Sequence, residues 1–195
     1  MMKNEHPTTF ISEGSLSNKL LIAVPGMCDD NFEKSVVYVC SNSKKDGSLG
    51  WVLNKKAPIQ FESVLSQLGI TAKTHSEQSV LWGGPVDPIR GFILHSTDFK
   101  GTDTTILSDN ISLTVSVDVL SKIANNEGPK ESLVFLGYSS WAAGQLELEI
   151  AGNSWLVMDA DSRFLFECPT ESKWKKAFDL MGVNPAMFSS EQGSV

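Results

Sequence analysis

The residues best suited to chemistry lie in one short segment, 137–153, which reads GYSSWAAGQLELEIAGN. It follows the apolar run 133–136, so we expect a buried strand that ends in a glycine-flanked turn, where proteins often expose functional groups. A tight corner or a close backbone contact would require the same glycines. The polar and aromatic side chains of the segment are Tyr138, Ser139, Ser140, Trp141, Gln145, Glu147 and Glu149.

Serine hydrolysis and paired-carboxylate chemistry are the two reactions that this segment suggests, and both fit poorly. The sequence GYSSW departs from the G-x-S-x-G nucleophile elbow, because Trp141 stands where a glycine must admit the sharp turn. Glu147 and Glu149 are two positions apart, so on a helix they point in well-separated directions. A solvated helix face explains these carboxylates more simply.

A second candidate segment reads WGGPVDPIRGFILH. Gly83 and Gly84 could present backbone N–H groups to an anion, and Arg90 could hold a carboxylate or phosphate beside them. His95 could serve as a general base. We favour a tight turn and a hydrogen-bonded structural histidine, because Gly-Gly-Pro alone is a weak signal and lacks the Lys-Ser/Thr ending of a P-loop.

Composition predicts one acidic domain. A chain of 195 residues can bury about 70% of its unfolded surface. The 16 Lys and Arg against 23 Asp and Glu give a net charge of −7, which disfavours direct binding to nucleic acid or to anionic membranes. No apolar run approaches the ~20 residues of a membrane span and no signal-peptide pattern is present, so we expect a cytoplasmic protein.

The three cysteines predict neither disulfides nor a metal site. Cys28, Cys40 and Cys168 are far apart, form no CxxC motif and have no matching histidine spacing. We expect reduced thiols, with Cys40 inert at the end of a strand. The sequence therefore indicates no metal and no cofactor.

The pattern of apolar residues predicts an α+β domain over 19–186, with a flexible arm over 1–18 and a frayed tail over 187–195. Residues 98–110 are expected to be a Thr/Asp-rich connector. Helices are predicted over 61–68 and 117–125, and a final helix opens at Pro169 and carries Trp174 to Met181. Strands are predicted over 19–24, 35–40, 48–54, 79–82, 91–96, 111–115, 133–136, 154–158 and 163–167.

The segment after residue 142 fits two conformations. As a helix it places Leu146 and Ile150 on one face and Leu148 on the opposite side, with Gly152 and Asn153 as a stop signal. As a strand it alternates polar and apolar residues, and Leu148 joins Leu146 in the core. We favour the helix.

Three sequence blocks in this order make the chain resemble the AlgH/YqgE family of small bacterial proteins. They are LIAVPGM with Asp29 and Phe32, residues 83–95, and residues 137–149. The resemblance implies an irregular α+β fold whose mixed or antiparallel sheet closes toward a pseudo-barrel with a few flanking helices. It also implies a regulatory role, proposed for alginate synthesis, without established chemistry. The family usually carries a polar residue at position 148, which favours the helix. The chain departs from the family pattern at Lys56, Val117 and Ser194.

We therefore expect a regulatory or partner-binding protein without direct DNA binding, whose partner is an unknown protein or a small ligand. The alternative is a small-molecule-binding enzyme with a pocket between blocks 83–95 and 137–149. A deep pocket containing Arg90 or His95 would favour the enzyme, and an exposed Leu148 would favour the binding protein. We also expect the turn over 137–141 to pack against the turn over 83–90. Trp141 or Tyr138 would span the gap between these turns, and Arg90 could stack on either ring. The expected ligand or partner surface comprises Gly83, Gly84, Arg90, His95, Tyr138, Trp141, Gln145, Glu147 and Glu149.

Overall fold

A nine-stranded sheet curls into a half-barrel with five helices packed on it in the computed structural model, which describes residues 16–72 and 77–188. The predicted α+β class, with a sheet folded toward a pseudo-barrel, is confirmed. The expected arm over 1–18 and tail over 187–195 lie mostly outside the described residues. Of the tail, Phe188 ends a short 3₁₀ helix and packs on the ring of Phe178, with 6.1 Å between ring centroids.

The strands and helices alternate along the chain without forming repeats. The strands are β1 (Lys19–Ala23), β2 (Val36–Ser43), β3 (Gly47–Val52), β4 (Val80–Trp82), β5 (Val86–His95), β6 (Thr104–Ser108), β7 (Ile111–Thr114), β8 (Ser132–Trp141) and β9 (Trp155–Asp159). The helices in the described part of the chain are α1 (Phe61–Gln67), α2 (Asp118–Ala124), α3 (Gln145–Ala151), α4 (Ser162–Glu167) and α5 (Lys173–Met181), with 3₁₀ helices at Thr170–Ser172 and Pro185–Phe188.

Strand β8 joins the two halves of the sheet. The spatial order is β6-β7-β5-β8-β3-β2-β1-β9, and β4 adds to β8 as the one parallel neighbour among these strands. Residues 133–136 of β8 pair with β5 on one side, and residues 134–136 pair with β4 on the other. Residues 139–141 pair with β3 instead. One strand therefore changes partners at its middle.

The change of partner occurs where glycine backbones touch. Gly137 has φ +72°, in the left-handed region, and a Cβ on it would lie 2.5 Å from the carbonyl oxygen of Gly84. A Cβ on Gly83 would lie 2.3 Å from the Gly137 oxygen, and one on Gly84 would lie 2.3 Å from the carbonyl of Tyr138. No side chain fits at these three positions, so the sequence must supply glycine at each.

The backbone of Gly83 ties three strands together at this point. Its N–H donates to the Leu136 oxygen at 2.8 Å, and its own oxygen accepts from the Val52 N–H at 2.9 Å. The same oxygen accepts from the Ser139 hydroxyl at 3.0 Å, and Ser139 is fully buried. Gly83 therefore has no free N–H for an anion, and Ser139 is a structural hydroxyl rather than an exposed nucleophile.

Both faces of the sheet are buried around β1 and β2. Leu20 and Ile22 face a cluster that includes α4 and α5, whereas Leu21 and Ala23 face a second cluster that includes Leu146 of α3. A third cluster holds α1 and α2 against β4, β5 and β8. These strands accordingly read as nearly continuous apolar runs rather than as alternating patterns.

The predicted strand over 163–167 is wrong, because this segment forms α4. The Asp161 side chain accepts from the Arg163 N–H at 3.2 Å and caps the helix start. At the other end, the buried ammonium of Lys173 donates to the carbonyls of Phe164 (3.2 Å), Leu165 (2.8 Å) and Cys168. A distant lysine thus satisfies carbonyls that the short helix leaves without partners.

Three further predictions are corrected around the sheet. Residues 137–141 are not a turn, since Gly137 bends β8 without ending it. Strand β5 begins at Val86 rather than at residue 91, because Asp87 and Pro88 lie in a bulge within the strand. The connector over 98–110 contains β6. The preferred helix after residue 142 is confirmed as α3.

The close contact at Gly137 predicts how much stability is lost when a methyl group is added there. We expect Gly137→Ala to lower the free energy of unfolding by about 3 kcal/mol or more, since it adds a backbone clash to the cost of a left-handed φ. Gly144 has φ +77° and open space around its Cβ position, so Gly144→Ala isolates the conformational cost and should lose only about 1–2 kcal/mol. Denaturant unfolding measures both variants. Equal losses would contradict the clash.

Candidate functional site

One carboxylate of α3, that of Glu149, binds the tryptophans at the end of β8 and at the start of β9. Glu149 Oε2 accepts from the indole N–H of Trp141 and from that of Trp155, each at 2.9 Å. Its other oxygen accepts from the Gln145 side chain at 2.9 Å, and the Gln145 oxygen accepts from the backbone N–H of Ala142 at 3.0 Å. Both indoles are nearly buried, so Glu149 satisfies two donors that would otherwise lose their hydrogen bonds to water.

The ring of Trp141 packs within an aromatic cluster, not between the two motif blocks. Its centroid lies 5.9 Å from that of Phe32 and 6.2 Å from that of Trp155. The expectation that Trp141 or Tyr138 spans a gap is wrong, since the glycine backbones themselves close it. Trp141 instead anchors α3 to β8 and β9.

Glu147 and Glu149 serve separate partners. Glu147 accepts from the Asn42 amide at 2.8 Å, and that amide also donates to Ser48 Oγ at 2.9 Å. The residue between the two carboxylates, Leu148, is 75% exposed, while Leu146 is fully buried. The outer side of α3 therefore exposes Leu148 to solvent, next to the Glu147 carboxylate that is hydrogen-bonded to β2.

Arg90 stacks on a ring other than the two expected. Its guanidinium carbon lies 5.2 Å from the centroid of Phe92, and Phe92 meets Tyr138 edge-on at 5.7 Å. Arg90, Phe92 and Tyr138 thus form a row across β5 and β8, where Val86 pairs with Tyr138. Stacking of this kind stabilises the sheet surface with or without a ligand.

His95 belongs to a directional chain of hydrogen bonds. Its Nδ1 lies 2.8 Å from the Ser96 carbonyl, which can only accept, so Nδ1 carries the proton. Nε2 must then accept from the Thr114 hydroxyl at 2.9 Å, which in turn lies 2.7 Å from that of Thr104. The Thr104 oxygen accepts from the Gly101 N–H at 3.0 Å. Burial lowers the pKa of His95 below its usual value of 6.5. The predicted structural histidine fits this arrangement.

The candidate residues form three separate groups along β8. His95 lies opposite Ser132 at one end, Arg90 and Tyr138 lie near the middle, and Trp141 lies at the other end. Nine residue steps separate Ser132 from Trp141, a length of roughly 30 Å measured along the strand. The structure brings the two sequence blocks together as neighbouring strands, but it does not gather their polar side chains around one reacting atom.

Two features escaped the sequence analysis. Lys173 is 1% exposed, and burial lowers its pKa to about 8. The available signal was its position four residues before the buried Ala177, on the same helix face. The second feature is an apolar cavity beside Gly91.

The described residues contain neither a group of metal-ligand side chains nor a helix that could span a bilayer. Across 16–72 and 77–188, no three His, Cys, Asp or Glu side chains are grouped so as to hold a metal ion. No helix in the same ranges combines the length and hydropathy needed to cross a bilayer. Cys40 is buried in β2, which raises the pKa of its thiol to about 12 and makes it unreactive. Cys28, by contrast, is exposed.

The AlgH-like family model matches residues 20–186. The chain belongs to the AlgH-like family. A UPF0301 protein of Bartonella quintana is 41% identical over 189 residues, covering 93% of this chain and 97% of the relative. Another from Bradyrhizobium diazoefficiens is 43% identical over 192 residues, covering 93% and 89%. The names of these relatives state no biochemical activity.

Two solved bacterial structures share this fold. The solution structure of the AlgH protein from Pseudomonas aeruginosa covers 100% of both chains at a TM-score of 0.74 and 34% identity. A crystal structure from Corynebacterium diphtheriae covers 92% of this chain and 94% of its own at a TM-score of 0.71. At 17% identity, the second likeness concerns the fold alone.

The hydrogen-bonded, buried state of His95 predicts that the stability of the fold depends on pH. The unfolded state takes up a proton near pH 6.5, whereas the native state resists protonation to lower pH, so stability present above 6.5 is lost as the pH falls below it. Nitrogen NMR shifts of the imidazole should show the Nδ1–H tautomer at pH 7 and a midpoint below 6.5. His95→Asn should remove this contribution to acid destabilisation. An Nε2–H tautomer, or a midpoint above 6.5, would contradict the assignment.

Proposed function

We propose that this chain is a cytoplasmic regulatory or partner-binding protein, not an enzyme, and that it acts without binding DNA directly. The proposal rests on the finding that the polar candidate side chains are already hydrogen-bonded within the protein. Trp141, Glu149 and His95 are engaged in structural hydrogen bonds, while the leucine beside Glu149 is left in water. Chemistry would need free, converging groups, whereas a docking surface needs an exposed residue on a rigid support.

The proposed docking surface is the outer side of α3, centred on Leu148. Leu146 below it is fully buried and the Glu149 bonds fix the helix to β8 and β9, so Leu148 is held in place. Within the described ranges, neither Glu147 nor Glu149 is paired with a lysine or arginine. The fitting partner is therefore a protein surface that offers an apolar recess flanked by basic side chains.

The alternative, a small-molecule-binding enzyme, requires a pocket between blocks 83–95 and 137–149, and the contact between these blocks argues against it. Glycine backbones in contact occupy the space between blocks 83–95 and 137–149, and neither Arg90 nor His95 lines any of four cavities on the described surface. Direct DNA binding is disfavoured by the charge of −7 and by α5, where Lys173 is buried and leaves Lys175 and Lys176 as the exposed cations of the helix.

Photo-crosslinking in living cells tests the proposal. We expect p-benzoylphenylalanine at position 148 to give one discrete adduct with a different protein, and Glu147→Lys to reduce its yield several-fold through charge reversal. The matched control is the same amino acid at position 180, since Leu180 is a leucine 56% exposed on α5.

Three outcomes would overturn the proposal. They are an absent adduct, equal adducts at positions 148 and 180, and an adduct with a second copy of this chain. A separate low-salt titration that showed salt-dependent, micromolar DNA binding would contradict the claim that the protein acts without DNA contact.

A further inference from the structure

An apolar cavity of about 360 Å³ lies between α1, α2 and the strands β5 and β8. Its floor is formed by Gly91, Ile93, Val134 and Leu136, and Leu120 of α2 forms part of the wall. No charged side chain of the described residues lines it. In a chain in which 20% of residues are charged, this lining is selectively apolar.

The floor of the cavity lacks one strand side chain, at Gly91. Residues 89, 91 and 93 point to the same face of β5, and the middle one is glycine. A Cβ on Gly91 would meet no atom nearer than the Phe135 oxygen at 4.0 Å, and Gly91 does not have a left-handed φ. Neither turn geometry nor a backbone contact demands glycine here, unlike at Gly83, Gly84 and Gly137. Protein interiors seldom leave such space unfilled.

A bulge in β5 shapes the mouth of the cavity. Val86 pairs with Tyr138 and Gly91 with Leu136, so three more residues are inserted in β5 than in β8 over this interval. Asp87 within the bulge has φ +46°, an unfavourable value for a residue with a side chain. Bulges are frequent beside binding sites. This one places Ile89 at the mouth, where it is 88% exposed.

We propose that this cavity binds a small neutral ligand with an aliphatic or aromatic body and one polar end. A cavity of roughly 150 Å³ accepts benzene, so this one accommodates roughly 10–14 heavy atoms. The lining offers Gln67 and Ser116 as uncharged hydrogen-bonding groups for the polar end. A charged ligand would lose hydration without gaining an ionic partner. The site is separate from the Leu148 surface, since α3 packs on β3 and β9.

A neutral fluorescent probe tests the site directly. N-phenyl-1-naphthylamine should bind the full chain saturably at one site, and 1-decanol should displace it better than decanoate or decylammonium. Gly91→Leu fills the cavity from its floor and should weaken binding at least tenfold. Leu148→Ala, which removes an exposed leucine elsewhere, should leave binding unchanged. Amide NMR shifts on probe addition should concentrate at Val64, Ile93 and Val134.

Several results would overturn the proposal. They are equal probe binding by wild type and a folded Gly91→Leu variant, shifts confined to other surfaces, equal displacement by charged and neutral competitors, or no saturable binding. If Gly91→Leu does not fold, Ile89→Ser decides the matter, because position 89 is exposed and tolerates a polar residue. Binding that remains unchanged in Ile89→Ser, with shifts away from the cavity, would reject the site.

Discussion

The contact between the backbones of residues 83–84 and 137–138 is the constraint on which the rest of the structure depends. It lets β8 leave β4 and take up β3, and it places the Gly83 carbonyl where Val52 and Ser139 both donate to it. A Cβ at any of three glycines would collide with main-chain atoms that cannot move aside. The curl of the sheet therefore follows from the absence of three side chains.

The same constraint explains why two sequence blocks that look catalytic are adjacent without forming a catalytic centre. Glycines and aromatic residues are common in active sites. Glycines are equally required where strand backbones approach closely, and aromatic side chains are equally suited to bury the apolar surface around such a contact. Around this junction Trp141 and Trp155 share Glu149, and Arg90 covers Phe92. These polar groups stabilise the packing of the strands and α3, while Leu148 on the outer side of α3 is exposed.

Periodicity predicted the parts of the fold that local sequence determines. The α+β class, most of the strands and α3 follow from apolar spacing and from the stop signal at Gly152. The extension of β8 could not be predicted, because glycine after an apolar run bends a strand as readily as it ends one. Helix α4 was missed because its FLF run fits a strand, and because its carbonyls are capped by Lys173, which lies beyond the helix. The cavity was missed because its signal is a side chain that Gly91 lacks.

Native-state hydrogen exchange of two amides tests most directly whether the glycine junction supports the whole sheet. The Gly83 N–H donates to Leu136 and the Val52 N–H donates to Gly83, so both lie inside the junction. If the sheet depends on this contact, both amides should exchange only by global unfolding, with the same free energy and denaturant dependence as the slowest amides of β1 and β2. Exchange through a local opening several kcal/mol below that value, with β1 and β2 still protected, would show that the sheet persists without the junction and would contradict the account.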